Sequence, residues 1–88
     1  WHSGDARFTA DGSRVLVTES TGRTYRLRLG GGTVEAEWAY PANPAGNRVL
    51  GLSDDGAVAV LRVRHGDAVG TYVADAKDGR LLRRVEAE

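Results

Sequence analysis

Two histidines, His2 and His65, and four serines, Ser3, Ser13, Ser20 and Ser53, are the residues from which this chain could build acid–base or nucleophilic chemistry. A general base needs a partner that orients it, and a metal needs several ligands at short spacing. Neither histidine has a Cys, His or carboxylate at such spacing, and His65 stands in a His-Gly-Asp turn sequence. The serines fall in turns or at strand ends, and no Gly-x-Ser-x-Gly elbow surrounds any of them. Asp54, Asp55 and Asp67 supply the oxygen ligands a hard cation takes, yet Asp-Asp-Gly is first of all a turn sequence. Gly30-Gly31-Gly32 has the composition of a phosphate cradle, but it separates two strand patterns and no P-loop lysine follows it. The expectation is a chain that is not an enzyme, with no catalytic residue, no metal site and no cofactor.

Composition narrows the partners in the same way. Twelve Lys+Arg balance twelve Asp+Glu in 88 residues, with no Cys and no Met. Interspersed charge of zero net sign offers no basic stripe for a phosphate backbone, so no nucleic-acid partner is expected. The longest apolar run, residues 57–61, is far too short to cross a bilayer, and no membrane partner or signal peptide is expected. A start at Trp1 with no Met anywhere leads us to expect a piece of a longer parent. A compact chain of this size buries roughly 8,600 Å² on folding, a hydrophobic gain of about 130 kcal/mol if about 60% is apolar, and conformational entropy of roughly 1.5 kcal/mol per residue opposes it almost fully. Such a chain gains from having more protein around it.

The elements that must position these residues are strands. Period two dominates: Tyr25, Leu27 and Leu29 alternate with Thr24, Arg26 and Arg28, and after the three glycines Val34, Ala36, Trp38 and Tyr40 alternate with Thr33, Glu35 and Glu37. This is a hairpin. With the apolar sets on the core face, Arg26 and Arg28 would share the opposite face with Glu35 and Glu37, where cross-strand charge pairing supports the register. The remaining strands are expected at 6–9, 14–19, 48–53, 57–64, 68–75 and 80–87. Turns carrying Asp11-Gly12, Asp55-Gly56 and Asp78-Gly79 separate them, and the Pro-containing stretch 41–47 is an irregular connection. Residues 57–61 are apolar on both faces, as an internal strand should be, whereas Leu81-Leu82-Arg83-Arg84-Val85-Glu86 carries the charge of an edge strand.

The chain also repeats itself. Phe8-Thr9-Ala10-Asp11-Gly12 aligns with Leu52-Ser53-Asp54-Asp55-Gly56 at an offset of 44, while Thr24-Tyr25 aligns with Thr71-Tyr72, and Gly32-Thr33-Val34 with Gly79-Arg80-Leu81, at 47. Each repeat holds four strands, which divides the chain into 1–43 and 44–88. Four strands per 40 to 50 residues is the signature of a β-propeller blade, so the expected fold class is all-β, two four-stranded antiparallel blades.

The stretches "FTADGSRVLVTESTGRTYRLRL" and "LGLSDDGAVAVLRVRHGDAVGTYVADAKDGRLLRRVE" resemble successive WD-repeat blades, which run hydrophobic-Ser-Pro-Asp-Gly, strand, strand ending near Trp-Asp, then Thr-Gly-x-Leu-Leu. Where that family carries Trp-Asp, this sequence has Ala74-Asp75 and Leu27-Arg28, and His2 is the one candidate for the family's structural histidine. TolB-like and quinoprotein-like propellers therefore stand beside WD repeats as the relatives resembled. The resemblance implies a non-catalytic scaffold or protein–protein interaction module within a larger, bacterial protein. Its partners would be neighbouring blades of the parent chain, or further copies of itself, together with a protein ligand. Two alternatives stay open. A sugar-binding lectin whose two blades oligomerise into a closed ring would use Trp38, Tyr40, Arg26 and Glu35, with Trp1, Tyr25, Tyr72 and Glu37 of suitable type; an accessory propeller of an enzyme such as a serine hydrolase would use none of them.

Overall fold

The computed structural model describes residues 4–85; Trp1, His2, Ser3 and the last three positions, including the end expected for the final strand, lie outside the described residues. Eight strands follow one another: β1 (Gly4–Phe8), β2 (Arg14–Glu19), β3 (Arg23–Arg28), β4 (Thr33–Ala39), β5 (Arg48–Leu52), β6 (Val58–His65), β7 (Ala68–Asp75) and β8 (Leu81–Val85). They form two antiparallel meanders, β1-β2-β3-β4 and β5-β6-β7-β8, so the fold is all-β with two four-stranded sheets. Apolar β6 is an internal strand and charged β8 an edge, as their composition requires.

Strand ends depart from the alternation pattern where side chains close turns. Thr9 leaves β1 because its hydroxyl donates to Asp11 Oδ1 at 2.9 Å, and Arg80 leaves β8 because its amide donates to Asp78 Oδ1 at 2.9 Å. The two Asp-Gly turns are built alike. Gly12 N–H donates to Thr9 O and Gly56 N–H to Ser53 O, both at 2.9 Å, while Asp11 and Asp55 each accept the amide two residues on. Gly12 (φ 73°) and Gly56 (φ 74°) supply the left-handed backbone that side chains disfavour.

The repeat extends into two of the three strand irregularities among the described residues; the third, the extra residue Leu50 in β5, has no counterpart in β1. β4 carries one extra residue, Glu35, opposite Arg26 and Leu27, and β8 carries its counterpart, Leu82, opposite Val73 and Ala74. These bulges fall 47 residues apart. They also correct the expected hairpin faces. Arg26 pairs with Ala36 and Thr24 with Trp38, so Arg26 shares a face with Trp38 and not with Glu37. Tyr25, opposite Glu37, and Leu27, opposite Val34, lie on the other face with Val15 and Val17. One inserted residue inverts the alternation beyond it.

One face of each sheet packs on the other. The buried cluster between them joins Leu16 to Val49, Ala59, Leu61, Val63, Tyr72, Ala74 and Ala76, with Trp38, Tyr40, Leu52 and Leu81 against its margin. The sheets approach most closely where β5 passes β1 and β2, and diverge towards β4 and β8. At the narrow end Asp5 and Arg7 clamp one peptide: Val49 N–H donates to Asp5 Oδ2 at 2.8 Å and Val49 O accepts Arg7 Nε at 3.3 Å. At the wide end large side chains fill the gap. The ring of Trp38 lies against Gly79, where any Cβ would run into it, and Tyr40 Oη donates to Gly79 O at 2.8 Å.

The connection 40–47 is tied down by buried polar groups. Asn47 Nδ2 donates to Thr18 Oγ1 and to Glu19 O, both at 3.3 Å, and Asn43 Nδ2 donates to Asn47 Oδ1 at 3.2 Å. The Thr18 and Thr24 hydroxyls share a 2.9 Å hydrogen bond behind them. A loop that dips under a sheet edge must satisfy its own backbone in this way.

Candidate functional site

The groups with the chemistry to bind something converge on the seam between the sheets. The bulge at Glu35 turns its carboxylate to the inter-sheet face, where Arg14 Nε donates to Oε1 at 2.7 Å and Arg26 Nε lies 3.4 Å from the same oxygen. Arg26 Nε is buried without a hydrogen bond of its own, so the attraction of Glu35 is what offsets its desolvation. Arg26 also spans the seam, donating Nη1 to Gly56 O at 2.7 Å. The Arg14 guanidinium holds the Glu35 carboxyl below its ordinary value. Beside these groups a cleft of about 350 Å³ opens between the sheets, lined by Arg14, Arg26, Asp55, Val58, Asp75 and Lys77. Its charges are mixed in sign, and the carboxylate of Asp55 is already engaged by Ser53 Oγ and Ala57 N–H, which hold it below its usual range.

Of the four residues named for sugar binding, Arg26 and Glu35 meet in this seam. Trp38 and Tyr40 meet each other edge to face, with ring centroids 6.4 Å apart. Both aromatic rings sit against the buried cluster, and burial pushes the Tyr40 phenol up to about 12. Tyr25 lies instead on the outward face of the first sheet, under the guanidinium of Arg23 at 4.4 Å. Arg23 pairs with Glu37 at 2.7 Å, the ion pair that the simple alternation assigned to Arg26 or Arg28. Tyr72, its counterpart, is buried at 8% exposure with His65 edge to face at 5.6 Å.

The three carboxylates considered for a cation are dispersed. Asp55 precedes β6 and Asp67 follows it, so the length of an eight-residue strand, roughly 26 Å, separates them. Among the described residues no three His, Cys, Asp or Glu side chains gather as a metal site would require. The buried set Thr18, Thr24, Asn43 and Asn47 was not legible as a unit. The signal that points to it is a pair of asparagines in a loop, facing two threonines at strand positions that alternation leaves polar.

A larger feature lies outside the seam. The outward face of the first sheet carries a row across all four strands, Phe8, Val15, Leu27 and Val34; its ends, Phe8 and Val34, are 61% and 45% exposed, Leu27 is half-buried and Val15 is buried at 6%. Ala6, Val17 and Tyr25 form a second row beside it, over a shallow depression that Asp5 and Glu19 border. No family model, curated protein or solved structure matches this chain.

Proposed function

We propose that the chain is a pair of propeller-like blades, degenerate relatives of WD-repeat or TolB-like ones, with the division at 43/44. Its role is non-catalytic: it serves as a scaffold or protein-interaction unit within a larger bacterial assembly. The observation that carries this reading is the exposure of Phe8 and Val34 at the two ends of the apolar row Phe8, Val15, Leu27 and Val34, on a sheet face against which the second sheet does not pack. A contiguous apolar sheet face is a contact surface wanting a partner. The internal repeat, two four-stranded meanders packed face to face, adds the architectural argument, which is one of resemblance. The sugar-binding alternative has less support, because Trp38 and Tyr40 are committed to Gly79.

Fluorescence of 8-anilinonaphthalene-1-sulfonate tests the reading. At dilutions where it is monomeric the chain is expected to enhance it, and replacing Phe8 and Val34 together by Lys is expected to abolish the enhancement. Both sites are exposed, so the urea midpoint should hold within about 0.5 kcal/mol. A monomeric native chain that does not bind the dye has no face in want of a partner, and the proposal falls.

A further inference from the structure

The packing inside the molecule specifies which outward face should meet which. Strand pairing makes β1–β4 and β5–β8 structural counterparts. Val17 opposite Tyr25 corresponds to Leu61 opposite Tyr72, Leu27 opposite Val34 to Ala74 opposite Leu81, and Arg26 opposite Ala36 to Val73 opposite Arg83. The face that the second sheet buries in the seam, with Ala59, Leu61, Tyr72, Ala74 and Leu81, is therefore the counterpart of the outward face of the first sheet, with Val15, Val17, Tyr25, Leu27 and Val34. Equally, the face that the first sheet presents to the seam, with Leu16, Thr24 and Arg26, is the counterpart of the outward face of the second, with Val60, Thr71 and Val73. The seam thus joins a face of one kind to a face of the other. One of each kind remains uncovered.

We infer that a second copy of this chain docks head to tail, the outward face of its β5–β8 sheet covering the outward face of the β1–β4 sheet. This rests on the blade reading above and adds to it the partner and the polarity of the contact. Charge selects the same arrangement. The β5–β8 face sets Arg48, Arg62, Arg64 and Arg83 against one carboxylate, Asp75, among Val60, Val69 and Val73, whereas the β1–β4 face carries Glu19 and Glu37 with a single arginine, Arg23, that pairs with both. Like-to-like docking of two β5–β8 faces would stack arginine on arginine, so a two-fold dimer through that face is disfavoured, and one through two β1–β4 faces would leave both β5–β8 faces uncovered. A heterologous contact either closes into a ring or propagates. With two sheets per chain and rings of about 4 to 8 sheets, closure takes two to four copies.

Sedimentation equilibrium of the 88-residue chain, with Phe8→Arg and Val73→Glu variants, tests this. Phe8 is exposed, Val73 is half-buried between Val60 and Arg83 and lies away from the seam cleft, and each variant sets a like charge against the face it should meet. The native chain is expected to sediment as two to four times its 9.4 kDa mass. Each variant alone should be a monomer with an unchanged circular dichroism spectrum, and their equimolar mixture should form a 1:1 dimer, since one intact face of each kind remains. A Phe8→Arg variant that still self-associates, or a Val73→Glu variant that still dimerises, overturns the head-to-tail polarity. A native monomer overturns self-docking: if it binds the fluorescent dye the blade reading stands without it, and if it does not, both fall.

Discussion

Tyr25 and Tyr72 occupy the same place in two sheets of the same construction, and their surroundings differ. Tyr72 is buried against the cluster that Leu16 enters from the facing sheet, while Tyr25 looks outward with Arg23 laid over its ring. The same contrast runs along the strands. Ala74 and Leu61 are fully buried, and their counterparts Leu27 and Val17 are half-buried; only Val15, at 6%, is buried like its counterpart Ala59. The apolar pattern is a property of the repeat, but burial is a property of having a neighbour. The sheets are not interchangeable in detail, since Gly51 stands where the first repeat has Arg7, one half of the clamp on Val49.

Substitutions at matched positions test how far the contrast reaches into stability. The largest effect is expected at Leu61→Ala, which empties a fully enclosed volume and should cost about 3 kcal/mol; Val17→Ala at the counterpart, half-open to solvent, should cost about 1 kcal/mol. Urea denaturation of the two variants measures the difference, and equal losses would mean that the outward face is as well packed as the seam. Next come the glycines. Gly79→Ala forces a side chain into both a left-handed backbone, φ 81°, and the Trp38 ring, an expected loss of about 3 kcal/mol, whereas Gly32→Ala at φ 70° meets open space and should cost about 1 kcal/mol. Thermal melts should separate them by several degrees.

The smallest effect concerns the turns, where the first repeat is expected to depend more on its carboxylate, since Asp11 accepts three hydrogen bonds and Asp55 two. Hydrogen bonds from the Ser13 amide and hydroxyl and from Thr9 bring the Asp11 carboxyl down to about 2, and Asp55 is lowered by the Ala57 amide and the Ser53 hydroxyl. A carboxyl whose folded value lies below its unfolded one, near 3.8 here, stabilises the fold above about pH 4, and that contribution is lost as pH falls towards about 2. Urea midpoints taken at intervals from pH 5 to pH 2 should decline, with Glu35 and Glu37 adding to the decline, and Asp11→Asn should flatten it more than Asp55→Asn. Equal flattening by the two substitutions would show that the third hydrogen bond accepted by Asp11 adds nothing to its turn.

Much of this was legible in the sequence. Alternation located all eight strands to within two residues over the described range, because period two is imposed locally by the pleat. The Asp-Gly turns were legible because their hydrogen bonds run between residues a few positions apart. The faces of the β3–β4 hairpin were not, since the bulge at Glu35 adds one residue without changing the composition. Comparison of the repeats could have found it: both Val34-Glu35-Ala36 and Leu81-Leu82-Arg83 interrupt the alternation at the same offset. For the seam, the residue types were visible but their company was not. Arg26 and Glu35 were paired on charge alone, and the partner that makes Arg26 structural, Gly56 O, is thirty residues away.

What the sequence determined by itself is local: strands, turns and a repeat of four strands, each dictated by side-chain alternation and by glycine where the backbone must turn left-handed. The tertiary structure decided which of two equivalent apolar faces is covered. Alternation marks a face as apolar but carries no information about what lies 10 Å above it. Only the packing of β5–β8 on β1–β4 spends one face of each kind in the seam and leaves the Phe8–Val34 row and the arginine-bearing face of β5–β8 uncovered.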